Sequence, residues 1–330
     1  MLVKRIGLIV VIVIPFLSCS NSLAQTSSPA VTAQEGMAQE GTAHELTAHR
    51  REFWRAIVKN RYAVPEGQPI FPLLRELSGY LGSPDPELRD DLAYTITAVW
   101  LKHQKVSTDE LNTLLDEWET NLRVSVGEPT GDSVLKRSFS VLCLAALAER
   151  DLKEPFLSEE RYRRSLADAL AYLKDERDLR GFDPTIGWIH ATAHTADLLT
   201  ALAGNRLFRR DDQRRVLDAI SERTSSAHQI FMYGEQDRLA MVAATIAQRA
   251  DLDATGFDSW LSTLDTNDQQ VWKDSPPKLN LLQTFENDTY MLRALAVYLS
   301  NSAAASTSGG GQSSMQNNLR DEVMQLLRKR

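Results

Sequence analysis

The sequence has few of the residues that characterise disulfide scaffolds, all-β folds or nucleic-acid surfaces. Its 330 residues include only two cysteines, Cys19 and Cys143, and Cys143 stands in an apolar stretch as a small buried hydrophobic residue. With 12 prolines, 16 glycines and few β-branched runs, the chain lacks the frequent turns of an all-β protein. A net charge of -7 argues against general nucleic-acid binding, which needs a basic face. We therefore expect a mostly helical protein whose partners do not include nucleic acid.

Several common catalytic motifs are also absent from the sequence. There is no glycine-rich phosphate loop, no dinucleotide fingerprint, no Gly-x-Ser-x-Gly turn and no cysteine-based metal knuckle. What the chain does have is 43% hydrophobic content, which is enough to bury a large core. Its chemistry must therefore come from residues that such motifs do not identify.

The N-terminus has the pattern of an export signal. Lys4 and Arg5 precede an apolar run over 6–17 that is too short for an ordinary membrane-spanning helix. The sequence SLA at 22–24 is a small-x-small cleavage site, whereas FLSC, ending at Cys19, resembles the lipobox of bacterial lipoproteins. Both alternatives stay open. Either one predicts a protein outside the cytoplasm, in the periplasm or anchored to the membrane through a lipid on Cys19.

Composition divides the chain into five segments. Residues 1–24 form the export signal, and 25–51 form a polar, disordered spacer with a degenerate five-residue repeat that cannot bury a core. A helical-repeat domain is predicted over 52–300 and a flexible linker over 301–318. The last segment, 319–330, has an apolar stripe and a basic end, which is typical of a short terminal helix.

Helical pairs recur along the central segment. Five helices rich in alanine and leucine are predicted to form an inner row, starting near Asp85, Gly131, Gly187, Gly234 and Glu286, roughly 45 to 56 residues apart. More polar, charge-laced helices between them suit an outer row. This pattern predicts an all-α fold, an α-solenoid of about five HEAT- or ARM-like hairpins. A closed α/α ring uses the same hairpin and is the alternative.

The middle inner helix contains the candidate site. At about 100° per residue, His190, His194 and Asp197 share a narrow arc, and two histidines four residues apart can bind one divalent transition metal. Asp197 lies about 10 Å along the helix axis from His190, so it is better placed to orient His194 than to bind the same ion. A third ligand must then come from another helix. Glu235 and Asp237 at the start of the next inner helix are the obvious candidates, and Glu286 and Asp288 one repeat further on are the weaker ones.

The alternative interpretation is structural. The two histidines and Asp197 can form a hydrogen-bonded network that joins this repeat to its neighbours, with Arg180 or Asp183 from the preceding loop. Trp188 then packs at the helix start, or it lines a groove as a binding anchor. No cofactor other than a metal is predicted.

The same residues resemble a known family. The segment RGF followed by GWIHATAHTADLL is similar to the hallmark of the bacterial domain-of-unknown-function 2785 family, and the resemblance covers roughly Leu73 to Tyr298. The family pattern reads Arg-Gly-aromatic, then Gly-Trp-x-His-x-x-x-His-x-x-Asp-Leu-Leu, and later Glu-x-x-Arg-Leu-Ala. The chain matches it at Arg180, Gly181, Gly187, Trp188, His190, His194, Asp197, Leu198, Leu199, Glu235, Arg238, Leu239 and Ala240. The family is uncharacterised, so the resemblance implies no reaction or ligand.

Two functions are compatible with these features. One is a cell-envelope helical-repeat module that binds or scaffolds an envelope protein, a peptide or a small ligand, with membrane contact only through an N-terminal lipid. The other is a metal-dependent hydrolase-like enzyme centred on His190 and His194. Whether the chain is an enzyme is left undecided by the sequence.

Overall fold

Helices make up almost all of the regular structure. The computed structural model describes residues 49–305 and 310–330, with side chains at 49–301 and 317–330. Cys19, the export signal and most of the predicted spacer lie outside these ranges. The described residues from Arg50 onward belong to one compact unit, Arg50–Arg330. The predicted all-α class is confirmed.

The elements follow one another through short connections. They are α1 (49–59), α2 (Ile70–Tyr80), a π-helix (Glu87–Tyr94) that runs into α3 (Thr95–His103), α4 (Thr108–Asn121), α5 (Ser133–Lys153), α6 (Glu159–Asp175), β1 (Phe182–Asp183), β2 (Gly187–Trp188), α7 (Ala191–Ala203), α8 (Arg210–Ser226), α9 (Glu235–Ala247), α10 (Ala254–Val271), α11 (Leu279–Ala305) and α12 (Gly310–Lys329). Within the described ranges, none of these helices combines the length and apolar character needed to cross a membrane.

The alanine-rich helices pack on one another in chain order. α3 packs on α5, α5 on α7, α7 on α9, and α9 on α11. The more polar helices cover them: α4 packs on α5, α6 on α7, α8 on α9 and α11, and α10 on α11. Small side chains let the inner helices approach closely, and the inner faces of α5, α7 and α9 are almost fully buried.

Local signals explain several helix starts. The Ser107 hydroxyl accepts a hydrogen bond from the Glu110 amide, and the Glu110 carboxylate accepts one from the Ser107 amide, so the predicted capping box is present. Ser158 caps α6 alone by accepting from the Arg161 amide, as its sequence implies. These caps fix where the outer helices α4 and α6 begin.

The middle inner helix starts later than its pattern predicts. Its residues were predicted to be helical from Gly187, but Gly187 and Trp188 form a strand and α7 begins at Ala191. The reason is local backbone geometry, because Gly187 has φ 76° and His190 has φ 54°, both outside the helical region. The two histidines therefore lie at the N-cap and in the first turn of α7, not along the middle of a helix.

The C-terminal helices also differ from prediction. α11 begins at Leu279 and runs to Ala305, while α12 begins at Gly310, so most of the predicted linker over 301–318 is helical where it is described. Alanines 303–305 have high helix propensity, which explains the longer α11. α12 packs against α11 with its apolar stripe buried. The buried members of that stripe are Leu319, Val323 and Leu326.

Candidate functional site

The segment before α7 folds into a short antiparallel ribbon. Phe182 in β1 pairs with Trp188 in β2, and the Asp183 carboxylate closes the turn by accepting from the amides of Thr185 and Ile186 at 2.8 and 3.1 Å. Gly187 is required at its position, since its φ is 76° and a Cβ there would lie 3.0 Å from Pro86 Cβ. The ribbon thus projects from the N-terminal end of α7 against the π-helix.

A buried arginine from the π-helix holds this ribbon. Arg89 is fully buried, and its Nη2 donates to the carbonyl oxygens of Ile186 and Trp188 at 2.7 and 3.1 Å. Its Nη1 donates to the Ser83 carbonyl at 2.8 Å, and its Nε lies 2.7 Å from Asp90 Oδ1. One side chain therefore ties two backbone carbonyls of the ribbon to an element almost a hundred residues earlier.

Three aromatic side chains of this region remain accessible to solvent. Phe182, Trp188 and Tyr233 are 40%, 38% and 46% exposed. The Phe182 and Trp188 rings lie 5.0 Å apart in an edge-to-face arrangement, and Tyr233 lies 6.2 Å from Trp188 and 6.3 Å from Phe182 between ring centroids. We call these three residues the aromatic patch.

His190 contacts two of the three residues of the aromatic patch. Its ring stacks on Trp188 at 4.7 Å between centroids, and its Nε2 donates to the Tyr233 carbonyl at 2.9 Å. Glu235 Oε1 lies 3.6 Å from the same nitrogen. Burial lowers the pKa of His190 to about 4, although the bond to the Tyr233 carbonyl opposes this shift. His190 is therefore neutral at pH 7, with its hydrogen on Nε2.

His194 connects the ribbon to α5. It is buried, and its Nδ1 lies 2.8 Å from Ser138 Oγ and 3.2 Å from the Ser138 carbonyl, which can only accept. The Ser138 hydroxyl donates in turn to the Ile189 carbonyl. The ring also packs edge-to-face on Phe139 at 5.1 Å. Burial keeps the pKa of His194 well below its ordinary value, so the ring is neutral and acts as a donor through Nδ1.

The histidines do not form a recognisable metal centre. In the part of the chain that the structure describes, no group of three or more His, Cys, Asp or Glu side chains is arranged to hold an ion. Of the two predicted third ligands, Glu235 approaches His190, while Asp237 is exposed in the first turn of α9. The ring nitrogens that carry hydrogens, Nε2 of His190 and Nδ1 of His194, cannot bind a metal in this tautomeric state.

Asp197 and Arg180 have partners other than the two histidines. The prediction that Asp197 orients His194 is not met, because its carboxylate accepts from Arg238 Nη1 at 2.6 Å. Burial raises the pKa of Asp197 to about 6, and the Arg238 charge opposes this. Arg180 pairs with Asp178 at 2.5 Å. A helical wheel cannot identify these partners, because they come from another helix and from a loop.

Sequence reasoning missed three residues that shape this region. Arg89, Ser138 and Tyr233 lie far along the chain from the ribbon and match no motif. A weak signal exists for Arg89, since it is a cation in a predicted inner helix, where a charge must be paired. Ser138 and Tyr233 carry no such signal.

The structure is that of an almost entirely helical protein in which a short ribbon with exposed aromatic residues precedes one of the inner helices. Residues 122–297 match the family described as "Protein of unknown function (DUF2785)", and the chain belongs to this family. The match includes the ribbon, both histidines and α9 but not the π-helix. No curated protein matches the chain. A solved structure of an engineered protein from the Northeast Structural Genomics Consortium is similar over 78% of this chain and 96% of its own, with 13% identity and a TM-score of 0.37.

Gly181 gives a direct test of how closely the ribbon packs on α9. A Cβ at this position would overlap the Tyr233 ring and lie 2.6 Å from Glu235 Oε1. We expect Gly181→Ala to lower the free energy of unfolding by about 1 to 3 kcal/mol through this overlap. Urea unfolding measures the change. Gly79→Ala is the matched control, since Gly79 lies in α2 with no atom within 4 Å of the added carbon. A Gly181 variant as stable as the control would contradict the close packing.

Proposed function

We propose that this protein is an exported helical-repeat module that binds a polypeptide partner through the aromatic patch. The observation that carries the proposal is the exposure of three adjoining aromatic rings, two on a ribbon held by buried polar groups and one, Tyr233, in the segment just before α9. Aromatic residues are enriched among the residues that dominate binding energy at protein interfaces. Holding such rings in place before binding lowers the entropy lost when a partner docks.

An open patch suits a polypeptide better than a small ligand. Small-molecule sites are concave and enclose most of their ligand. Two open surface pockets, of about 480 and 380 Å³, are lined by other parts of the chain, at the ends of α7 and α9 and between α6 and α8. The aromatic patch lies in neither of these two, and the exposure of all three of its rings favours the surface of a peptide or protein.

The proposed architecture is an α-solenoid of about five hairpins. Successive contacts from α3 through α5, α7 and α9 to α11 support this arrangement, because each hairpin of a solenoid packs on its neighbours. A closed ring is the alternative. The predicted export signal favours a partner in the cell envelope, either in the periplasm or near the membrane to which a lipid on Cys19 would hold the chain.

The proposal can be tested by photo-crosslinking in the cells that make the protein. A photoreactive phenylalanine analogue at Phe182 is expected to give one discrete polypeptide adduct, which is lost when Trp188→Ala is added. The same analogue at Leu152, an exposed residue of α5, is the matched control and should give no such adduct. Equal adducts from both positions, or an adduct that survives Trp188→Ala, would contradict the proposal.

The crosslinked polypeptide then provides a quantitative measurement. After identification by mass spectrometry and purification, it should bind the wild-type chain about thirtyfold more tightly than Trp188→Ala, the loss typical of a residue worth about 2 kcal/mol. Thermal unfolding should show that the Trp188 variant remains folded. Unchanged affinity would mean that the aromatic patch is not the binding surface.

A metal-dependent hydrolase centred on His190 and His194 is the second candidate. It is favoured by the 3.6 Å distance between Glu235 Oε1 and His190 Nε2, which a change of tautomer could convert into a shared site. This candidate requires stoichiometric metal in the purified protein, or thermal stabilisation by zinc, manganese or nickel that His194→Ala removes. Neither result is expected of the binding module.

A further inference from the structure

A second cluster of buried charges lies where α8, α10, α11 and α12 meet. Asp268 of α10 and Asp288 of α11 are 8% and 1% exposed. The side chain of Arg330, just past the end of α12, is 3% exposed beside them. A cation buried between two acids is costly unless the protein satisfies its hydrogen-bonding groups, so the contacts of Arg330 decide what this cluster recognises.

The guanidinium of Arg330 is contacted on its edges and on its face. Its Nη2 pairs with Asp268, and its Nη1 donates to Thr289 Oγ1 at 2.8 Å and to the Phe285 carbonyl at 3.2 Å. The Phe285 ring lies 5.2 Å from Cζ, within the range of a cation–π contact. A flat group with several fixed donors fits these contacts, whereas the compact ammonium of lysine does not.

Asp288 leaves acceptor capacity in the cluster. The residue is almost fully buried, and neither carboxylate oxygen makes a hydrogen bond of normal geometry. The Thr224 hydroxyl can direct its single hydrogen either to this carboxylate, which lowers the pKa of Asp288, or to the Ser221 carbonyl. Burial raises the pKa of Asp288 to about 6 and that of Asp268 to about 7, and the Arg330 charge opposes both shifts. Arg330 therefore stabilises the charged forms of both acids.

The residues that receive Arg330 do not belong to α12. Asp268, Phe285, Asp288 and Thr289 all lie in α10 and α11, which pack on each other and on α8. Among its described side chains, α12 is held on these helices by the buried apolar stripe of Leu319, Val323 and Leu326 and by the polar contacts of Lys329 and Arg330. Because α8, α10 and α11 also pack on one another, displacement of α12 would expose the receiving side chains to solvent while they stay together.

We propose that Asp268 and Asp288, with Phe285 and Thr289, form a guanidinium-binding site that Arg330 fills from within the same chain. When α12 moves away, this site binds an arginine side chain of another polypeptide. α12 thus competes with an external arginine-bearing segment. The site is separate from the aromatic patch and does not depend on the proposed function.

Direct binding to the full-length chain tests the site. Arg330→Ala should bind N-acetyl-arginine amide saturably, measured by calorimetry and by a rise in the thermal unfolding midpoint. N-acetyl-lysine amide, the matched probe, should bind at least tenfold more weakly. The wild-type chain should show no saturable binding, because its own Arg330 occupies the site. Lys329→Ala should behave like wild type, since it removes only the exposed pair with Asp265.

The acceptors supply the second arm of the test. Adding Asp268→Asn to Arg330→Ala should abolish binding of the arginine probe. If Arg330→Ala does not fold, the same measurements are made on Arg330→Gln, whose side-chain amide can still donate to Thr289. The proposal is overturned by a folded Arg330 variant without saturable arginine binding, by equal binding of the lysine probe, or by binding that survives Asp268→Asn.

Discussion

Replacing Arg89 by methionine is expected to lower the free energy of unfolding by about 3 to 5 kcal/mol, the range for removing one partner of a buried ion pair. The change leaves the carbonyls of Ile186 and Trp188 without their donor and Asp90 without its cation. Burial already raises the pKa of Asp90 to about 7, so this carboxyl can become neutral once Arg89 is lost. The loss of unfolding free energy caused by Arg89→Met should therefore be smaller at pH 6 than at pH 8.

Urea unfolding at both pH values measures this effect. Arg75→Met is the matched control, because Arg75 pairs with Glu117 at 2.9 Å but is largely exposed, and such pairs contribute about 0.2 to 1 kcal/mol. Arg89→Met should also alter the near-ultraviolet circular dichroism of the aromatic patch, since Trp188 is anchored through its carbonyl. A loss no larger than the control's would mean that Arg89 does not hold the ribbon.

The helical part of the fold follows from local signals that the sequence displays. Alanine and leucine spacing identified the existence of the five alanine- and leucine-rich helices, although not all of their bounds, and Ser107 with Glu110 gave the start of α4. The apolar stripe of Leu319, Val323 and Leu326 predicted a helix face that is indeed buried. These features can be predicted from the sequence because each depends on residues within a few helical turns of one another.

The ribbon could not be predicted in the same way. GWIHATAH fits a helical period, and only tertiary contacts turn its first residues into a strand. Arg89 binds the Ile186 carbonyl from 97 residues away, and Ser138 binds the Ile189 carbonyl from 51 residues away. These bonds, with the positive φ of Gly187, outweigh the local preference for helix. Chain periodicity carries no information about them.

The role of each site residue was also beyond sequence reasoning. A helical wheel put Asp197 on the same face as the histidines, but its nearest cation, Arg238, comes from α9. Whether Trp188 is packed or exposed depends on what the neighbouring loops cover, so the sequence left both alternatives open. Because Trp188 is exposed together with Phe182 and Tyr233, the candidate binding surface is the aromatic patch and not the pair of histidines.

The neutral state of His190 predicts a loss of stability in acid. The unfolded chain binds a proton at His190 near pH 6.5, whereas burial delays protonation of the folded chain until about pH 4. Between these values the unfolded state binds more protons, so this contribution is complete above pH 6.5 and is lost as the pH falls toward 4. A shift of this size is worth about 3 kcal/mol. The side chain is only 12% exposed, so solvent screening reduces it little.

Buried carboxyl groups act in the opposite direction. The pKa is raised by burial to about 7 for Asp90 and Asp268 and to about 6 for Asp197 and Asp288. Between their ordinary pKa near 4 and these values, the folded state binds more protons, so these groups stabilise it as the pH falls. The dependence of wild-type stability on pH is therefore a sum of opposed contributions. The contribution of His190 is isolated by comparison with a variant that lacks this histidine.

His190→Asn is the variant that makes this comparison. Asparagine tolerates the left-handed backbone that His190 adopts, with φ 54°, better than most residues, and it does not titrate. We expect the stability advantage of wild type over His190→Asn, measured by urea unfolding, to shrink by about 3 kcal/mol between pH 7 and pH 4. His103→Asn, at an exposed histidine in the last turn of α3, is the matched control. Parallel profiles for wild type and His190→Asn would show that His190 is not held neutral by the fold, and the stacked support for Trp188 would then need another explanation.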